Sequence, residues 1–161
     1  MVHLGIMQTK PETPIQRVAA LYDTDLHAWA MTNAQLLRDG HYDLIDIKHL
    51  IEEIEDMGKS QQHAITSFLR NLLMHLLKWQ YQADKQSRSW KFTIRNARQE
   101  IEDLLDDNPS LNRLPGEVLQ RSYAKARQLA ADETGISLTV FPEVCPYTID
   151  QVLSGDWLPG V

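Results

Sequence analysis

The sequence predicts an all-α protein, an up-and-down bundle of four main helices followed by an extended C-terminal strap and a short helix. Apolar side chains recur every three or four residues over most of the chain, as one buried face of a helix requires. Residues that cap or break helices bound each periodic stretch, for example Asp46 before one of them and Gly135 after another. With 161 residues, 43% of them hydrophobic, the chain can bury a core without disulfides, and its single cysteine cannot form one internally.

The first clear helix is predicted from about Thr24 to Arg38. Asp23 and Thr24 can accept hydrogen bonds from the free N–H groups at its start, and Gly40 follows where a left-handed residue commonly ends a helix. Residues 14–21 either extend this helix or form a separate short one.

The second helix has the strongest pattern and is predicted from Asp46 to about Gln82. Its apolar seam alternates steps of four and three, an average of 3.5 that is typical of a packed bundle or coiled coil. Gly58 lies in this seam and either allows close helix packing or marks a bend. The seam residues are Ile47, Ile51, Ile54, Gly58, Gln61, Ile65, Phe68, Leu72, His75 and Trp79.

The second half of the chain continues the helical pattern and ends in an irregular segment. Asn108–Pro109 stops or kinks one helix, and Pro115–Gly116 is expected to break the link before the next. The remaining predicted elements are a third helix (about Arg88–Asp107), a fourth helix (about Glu117–Thr134), an extended strap (136–146) and a short helix from Thr148 to about Ser154.

Composition sets the broad class of the protein. We expect residues 1–20 to form a flexible N-terminal arm and residues 21–161 a single helical domain. The net charge of −6 disfavours a protein that coats nucleic acid. No apolar run is long enough to span a membrane, and no secretory signal is recognisable, so a soluble, cytoplasmic protein is expected.

Six blocks of the sequence carry a resemblance to a known family. They are LYDTDLHAW (21–29), IEEIEDMG (51–58), HLLKWQYQ (75–82), SRSWKFTI (87–94), NPSL (108–111) and FPEVCPY (141–147). In this order they resemble the bacterial all-helical family catalogued as domain of unknown function number 29. Leu26 stands where that family usually has Phe, and Ala83 where it usually has Pro. The resemblance implies a helical fold and offers no established activity, cofactor or catalytic residue.

An acidic stripe on the second helix is the first candidate for chemistry. Asp46, His49, Glu53 and Asp56 follow steps of three, four and three, which places them along one side of a helix. Histidine with carboxylates one turn away forms half of a divalent-metal site, so His49, Glu53 and Asp56 are candidate metal ligands. Such a site also needs ligands from a facing helix. The alternative is a solvated stripe with Asp46 as the helix cap.

A basic stripe on the third helix is the second candidate. Arg88, Lys91, Arg95 and Arg98 also follow steps of three, four and three, and Trp90 flanks them. These side chains are candidates for binding phosphate or another anion, with the indole as a stacking surface. The alternatives are a solvated face, salt bridges to neighbouring helices, and a contact with a protein partner.

Two single residues have competing interpretations. His75 lies on the apolar seam, where a histidine is most often a hydrogen-bonded core residue. Across a hairpin of the second and third helices it could instead line a small anion pocket with Arg88 and Arg95. Cys145 has no histidine near it in the sequence and is expected to be a buried, inert thiol.

The function expected first is a soluble interaction or regulatory module that self-associates, since the chain carries no phosphate loop, dinucleotide fingerprint, nucleophile elbow or zinc-protease motif. In a hairpin, Glu53 lies about 33 Å along the second helix from the level of Arg95, so the charged stripes do not meet within one chain. An antiparallel homodimer would join them. The alternatives are a metal-dependent, hydrolase-like enzyme acting on a phosphate-bearing or anionic substrate, and a weak nucleic-acid-binding module using the third helix.

Overall fold

The computed structural model describes residues 12–160 and confirms an all-α fold, with α-helices, short 3-10 turns and no β-strand in that range. Most of the expected N-terminal arm, residues 1–11, lies outside the described residues. No helix within 12–160 combines the length and apolar composition needed to cross a membrane. The α-helices are α1 (Pro14–Thr24), α2 (Leu26–Asp39), α3 (Ile47–Tyr81), α4 (Arg88–Asp107), α5 (Leu114–Thr134) and α6 (Ile149–Leu153).

The first predicted helix corresponds to α2, and of the two alternatives for residues 14–21 the separate helix is confirmed, with Asp25 between α1 and α2. The backbone of Asp25 leaves the helical region (φ −155°, ψ 84°), and its carboxylate accepts a hydrogen bond from the N–H of Ala28 at 2.9 Å. Asp25 therefore caps α2, and the prediction that Asp23 or Thr24 does so is wrong. Gly40 ends α2 with φ 75°, as predicted, because a glycine adopts this left-handed conformation without a Cβ clash.

The other helix ends follow the predictions closely, with one exception. Helix α4 spans Arg88–Asp107, and the Thr148 side chain caps α6. Helix α5 begins at Leu114, three residues earlier than predicted, so Pro115 does not break the chain before it. Proline is tolerated in a first turn because the N–H it lacks has no partner there in any case.

The chain forms two compact units, one ending at Met57 and the other beginning at Gly58. The first unit contains α1, α2 and the start of α3. Its buried side chains are few and mixed in character: Trp29, Asn33, Ile45 and Asp46. An ionised or amide group in so small a core must be hydrogen-bonded to be tolerated.

The second unit contains the main hydrophobic core. The rest of α3 supplies the largest share, and α4, α5, the strap and α6 pack onto it. The α3–α4 turn is closed by paired contacts in which Lys78 lies over the Trp90 ring and Lys91 over the Trp79 ring. The largest fully buried residues of this core are Ile65, Leu69, Leu72, Leu73, Leu76, Leu77, Ile94, Ile101, Tyr123, Phe141 and Val152.

The predicted strap is held by one face of α5. Arg127 donates to the carbonyls of Leu138 and Phe141, both at 2.9 Å, and the Tyr123 hydroxyl donates to the carbonyl of Pro142 at 2.7 Å. A 3-10 turn at Leu138–Val140 interrupts the extended segment. Because side-chain donors satisfy these carbonyls, the strap needs no strand partner.

Candidate functional site

Asp46 is the centre of a polar and aromatic cluster in the first unit. Its carboxylate Oδ2 accepts hydrogen bonds from Trp29 Nε1 at 2.9 Å and from His49 Nδ1 at 2.6 Å. Its backbone N–H donates to Asn33 Oδ1 at 2.9 Å. Burial alone would raise the pKa of Asp46, but the hydrogen bonds from His49 and Trp29 outweigh it and hold the pKa below the usual 3.8. The buried carboxylate is therefore ionised at neutral pH and joins α2 to the start of α3.

Tyr22 brings α1 into the same cluster. Its ring stacks on the His49 ring, with centroids 4.1 Å apart and planes 10° from parallel, and meets the Trp29 ring edge-on at 5.1 Å. Its hydroxyl donates to Glu53 Oε1 at 2.7 Å. This hydrogen bond to an acidic side chain is the largest contribution that raises the pKa of Tyr22 to about 12, so the phenol keeps its proton.

The three candidate metal ligands are thus engaged in different ways. His49 directs Nδ1 to Asp46, and Glu53 accepts from Tyr22. Asp56 is exposed and adds its negative charge to the surroundings of Tyr22. Over residues 12–160, no three side chains of the His, Cys, Asp and Glu types are grouped as a metal site requires. The metal hypothesis stays a prediction, and the contacts seen are those of a network that ties three helices together.

The structure separates the four residues of the predicted basic stripe. Arg98 is buried, with 7% of its surface exposed. Its guanidinium donates to three carbonyls near the C-terminus, those of Val152 (Nε, 2.8 Å), Gly155 (Nη1, 3.2 Å) and Trp157 (Nη2, 2.8 Å). Burial lowers the pKa of Arg98 below its usual range, and the negative charge of Asp156 opposes this effect. Arg98 therefore fastens the C-terminal segment to α4.

The other members of the stripe remain at the surface of α4. The Lys91 ammonium lies 5.4 Å from the centre of the Trp79 ring, a cation–π contact with α3. Trp90 is half-buried and its ring is covered by Lys78 at 4.7 Å, so the predicted stacking surface already has an occupant. Arg88 and Arg95 are exposed. Arg95 borders a cavity of about 550 Å³ whose lining also includes the carboxylates Glu102 and Asp106.

His75 and Cys145 have the contacts of structural residues. His75 Nδ1 lies 2.9 Å from the carbonyl oxygen of Asn71, one turn earlier in α3. Burial, helped by the charge of Lys78, lowers the pKa of His75 below its usual 6.5. The Cys145 thiol is half-buried, with Sγ 3.5 Å from the carbonyl oxygen of Tyr147, and burial raises its pKa, which suppresses the reactive thiolate.

A groove of about 630 Å³ between α3 and α5, entirely within the second unit, was not foreseen from the sequence. We call it the α3–α5 groove. Its cationic residues come from helix segments more than 40 positions apart, so no single sequence window contains them. The lining residues are Gln62, His63, Thr66, Ser67 and Arg70 of α3, and Leu114, Arg121 and Lys125 of α5.

The start of α3 carries an exposed apolar face. Ile47, Ile51 and Ile54 are 55%, 52% and 60% exposed, although they continue the same seam that buries Ile65 and Leu72 further along the helix. We call these three isoleucines the isoleucine face. A row of large apolar side chains at helical spacing is a feature of contact surfaces rather than of a solvated helix.

The comparisons with known proteins bear on the family alone. No curated protein and no solved structure matches the chain significantly. The family model described as "Domain of unknown function DUF29" matches residues 21–158, which contain all six sequence blocks. Because this match covers most of the 161 residues, the chain belongs to the DUF29 family.

Proposed function

We propose that this protein is an interaction module that self-associates. The isoleucine face of one copy lies against the exposed face of α4 that contains Arg88, Phe92 and Arg95, here called the basic face, of a second copy. The single observation that carries the proposal is the exposure of Ile47, Ile51 and Ile54, each more than half accessible, on one side of a helix. Water-exposed isoleucines at this spacing gain free energy by packing against another apolar surface.

The charges around the two faces are complementary. Residues 47–57 contain four carboxylates and one lysine. Residues 88–98 contain no carboxylate and four cationic side chains, of which Arg88, Lys91 and Arg95 are exposed and Arg98 is buried. On α4 the exposed face has Phe92, 66% accessible, between Arg88 and Arg95 at spacings of four and three. Each face therefore has an apolar centre and flanks of opposite charge, which favours pairing of unlike faces over pairing of like ones.

A second copy of the chain is the partner that fits this arrangement. Since every copy carries both faces, a two-fold symmetric dimer makes the same contact twice. Burying a large apolar side chain gives about 1.5–3 kcal/mol, so covering the exposed half of three isoleucines and one phenylalanine gives about 4 kcal/mol per contact and about 8 per dimer. Two chains that associate lose translational and rotational freedom, at a free-energy cost of roughly 4–15 kcal/mol. The gain from burial is comparable with this cost, so we expect a weak, reversible dimer.

Sedimentation velocity over a range of protein concentrations tests the proposal. We expect a concentration-dependent dimer that Ile51→Asp and Phe92→Ser each weaken by at least about tenfold, since each places a polar group in the apolar centre. Val144→Asp is the matched control, because Val144 is 72% exposed but belongs to neither face, and it should leave the dimer unchanged.

A charge exchange makes the test specific to the two faces. Arg88→Glu and Glu52→Arg should each weaken association at low salt, and the doubly substituted chain should recover it. A protein that is monomeric at every concentration at low salt contradicts the proposal, and so does an equal loss in Val144→Asp. A dimer that forms only after residues 2–11 are deleted would also contradict it, because the N-terminal segment would then be the natural cover of the isoleucine face.

A further inference from the structure

The α3–α5 groove concentrates positive charge on a protein that is acidic overall. Arg70, Arg121 and Lys125 line it, and none of the eight lining residues is an aspartate or glutamate. The whole chain has 22 carboxylates and 16 lysines and arginines. A pocket lined by three cations and no carboxylate therefore has the opposite sign of charge to the chain as a whole. Side chains of one sign in a concave surface focus the electrostatic potential and attract counter-ions.

Helix geometry explains how these side chains converge. On α5, Leu114, Arg121 and Lys125 are spaced by seven and four, so they share one face of the helix. On α3, His63, Ser67 and Arg70 are spaced by four and three in the same way. Two faces with cations therefore line the same groove, one from each helix.

Ion pairs do not explain why the cations of the groove lie together. Within residues 12–160, no carboxylate forms an ion pair with Arg70, Arg121 or Lys125. The side-chain hydrogen bond of Arg70 goes to Ser67 Oγ at 3.4 Å, a long contact with a neutral group. Arg127, only two residues from Lys125, differs because it donates to two strap carbonyls. Adjacent cations without such acceptors repel each other, and a bound anion relieves that repulsion.

We propose that the α3–α5 groove binds a small, hydrophilic molecule that carries two or more phosphate groups. Arginine forms paired hydrogen bonds to phosphate oxygens, and lysine adds a point charge, so Arg70, Arg121 and Lys125 provide the recognition. The volume of about 630 Å³ is within the range of small-molecule sites and exceeds what a single phosphate fills.

The rest of the lining selects the body of the ligand. Gln62, Thr66 and Ser67 present amide and hydroxyl groups, and Leu114 is the one aliphatic side chain among the eight. Such a surface favours a sugar or polyol body over an aromatic one. No Phe, Tyr or Trp lines the groove, and the one aromatic ring among the eight lining residues is the imidazole of His63. The groove therefore offers a smaller stacking surface than the sites that bind single-stranded nucleic acids.

Isothermal titration calorimetry with pyrophosphate and with fructose 1,6-bisphosphate tests this inference in about 0.1 M salt, where nonspecific surface attraction is screened. We expect both probes to bind the full chain, and Arg121→Gln with Lys125→Gln to weaken them by at least about tenfold. Lys85→Gln is the matched control, since it removes one exposed charge outside the groove and should not change the affinity. Circular dichroism confirms that each variant is folded.

Three results would overturn the inference. The first is no binding of either probe at millimolar concentration, and the second is an equal loss of affinity in Lys85→Gln. The third is tighter binding of a single-stranded oligonucleotide than of either probe, which would assign the groove to a polymer. The calorimetric result does not depend on whether the chain self-associates. Arg121 and Lys125 lie on neither face of the proposed dimer, and the dimer residues Arg88 and Phe92 do not line the groove.

Discussion

Replacing Arg98 with methionine should release the C-terminal segment from α4. Methionine keeps most of the length and apolar stem of the arginine but removes the guanidinium that donates to Val152, Gly155 and Trp157. These carbonyls lie 54 to 59 residues further along the chain, so the hydrogen bonds are long-range. Val152 is fully buried, so its carbonyl cannot readily exchange the lost donor for water.

The size of the effect follows from two opposing contributions. A hydrogen bond from a charged donor contributes about 1.5–3 kcal/mol, so three of them contribute about 4.5–9 kcal/mol before any offset. The Nη1 contact with Gly155 is long at 3.2 Å and counts for less. Burying a guanidinium that has no ion pair within the described residues costs several kcal/mol. We therefore expect Arg98→Met to lower the free energy of unfolding of the second unit by about 2–4 kcal/mol.

Urea unfolding followed by tryptophan fluorescence measures this loss, because Trp79, Trp90 and Trp157 all belong to the second unit. Limited proteolysis provides a local measurement, since residues 149–157 should become the first site of cleavage if the segment detaches. Arg95→Met, one turn earlier on α4 and exposed, is the matched control and should change stability by less than about 0.5 kcal/mol. A loss below about 1 kcal/mol in Arg98→Met, with an unchanged cleavage pattern, would refute the reasoning.

Two further predictions concern titrating groups. Burial lowers the pKa of His75 and outweighs the hydrogen bond to the Asn71 carbonyl, which raises it. The stability that comes from the neutral ring is therefore present above pH 6.5 and is lost as the pH falls through the lower folded pKa. Urea midpoints between about pH 7 and 5 should therefore fall more steeply for the native chain than for His75→Gln, and parallel slopes would contradict this. For Tyr22, a titration followed by phenolate absorbance should show a pKa of about 12. Glu53→Gln should lower this pKa toward 10, because the hydrogen bond to Glu53 is the largest cause of the shift. An unchanged titration in Glu53→Gln would exclude that cause.

The helices could be predicted because their signals are local. Apolar spacing and the residues at the ends place α4 correctly at Arg88–Asp107. The same local reasoning does not distinguish Arg98 from the other three basic residues at steps of three and four. Ten residues along a helix rotate the side chain about 80° away from that of Arg88, to the edge of the stripe. Whether that edge faces water or the C-terminal segment depends on where residues 152–157 lie. The sequence of α4 alone contains no information about that position.

The seam of α3 shows a second limit of periodicity. A 3.5-residue repeat says that one side of a helix is apolar, but it does not say what covers that side. Ile65 and Leu72 are covered by the chain's own helices, whereas Ile47 and Ile51 are exposed, although all four satisfy the same repeat. The α3–α5 groove escaped prediction for a related reason, since its cations lie on two helices that only the tertiary fold brings together.

Backbone carbonyl acceptors account for the positions of some arginines of this chain and not for those of others. Arg98 and Arg127 donate to backbone carbonyls of the C-terminal third, and these contacts account for their positions. Arg121 and Lys125 have no such acceptor and no ion pair within the described residues, although carboxylates are more numerous than cations in the whole sequence. One aspartate or glutamate placed nearby would form an ion pair with such a cation, and a surface ion pair adds a small amount of stability. The groove instead keeps Arg70, Arg121 and Lys125 together without one, and this arrangement is the observation on which the proposal of an anionic ligand rests.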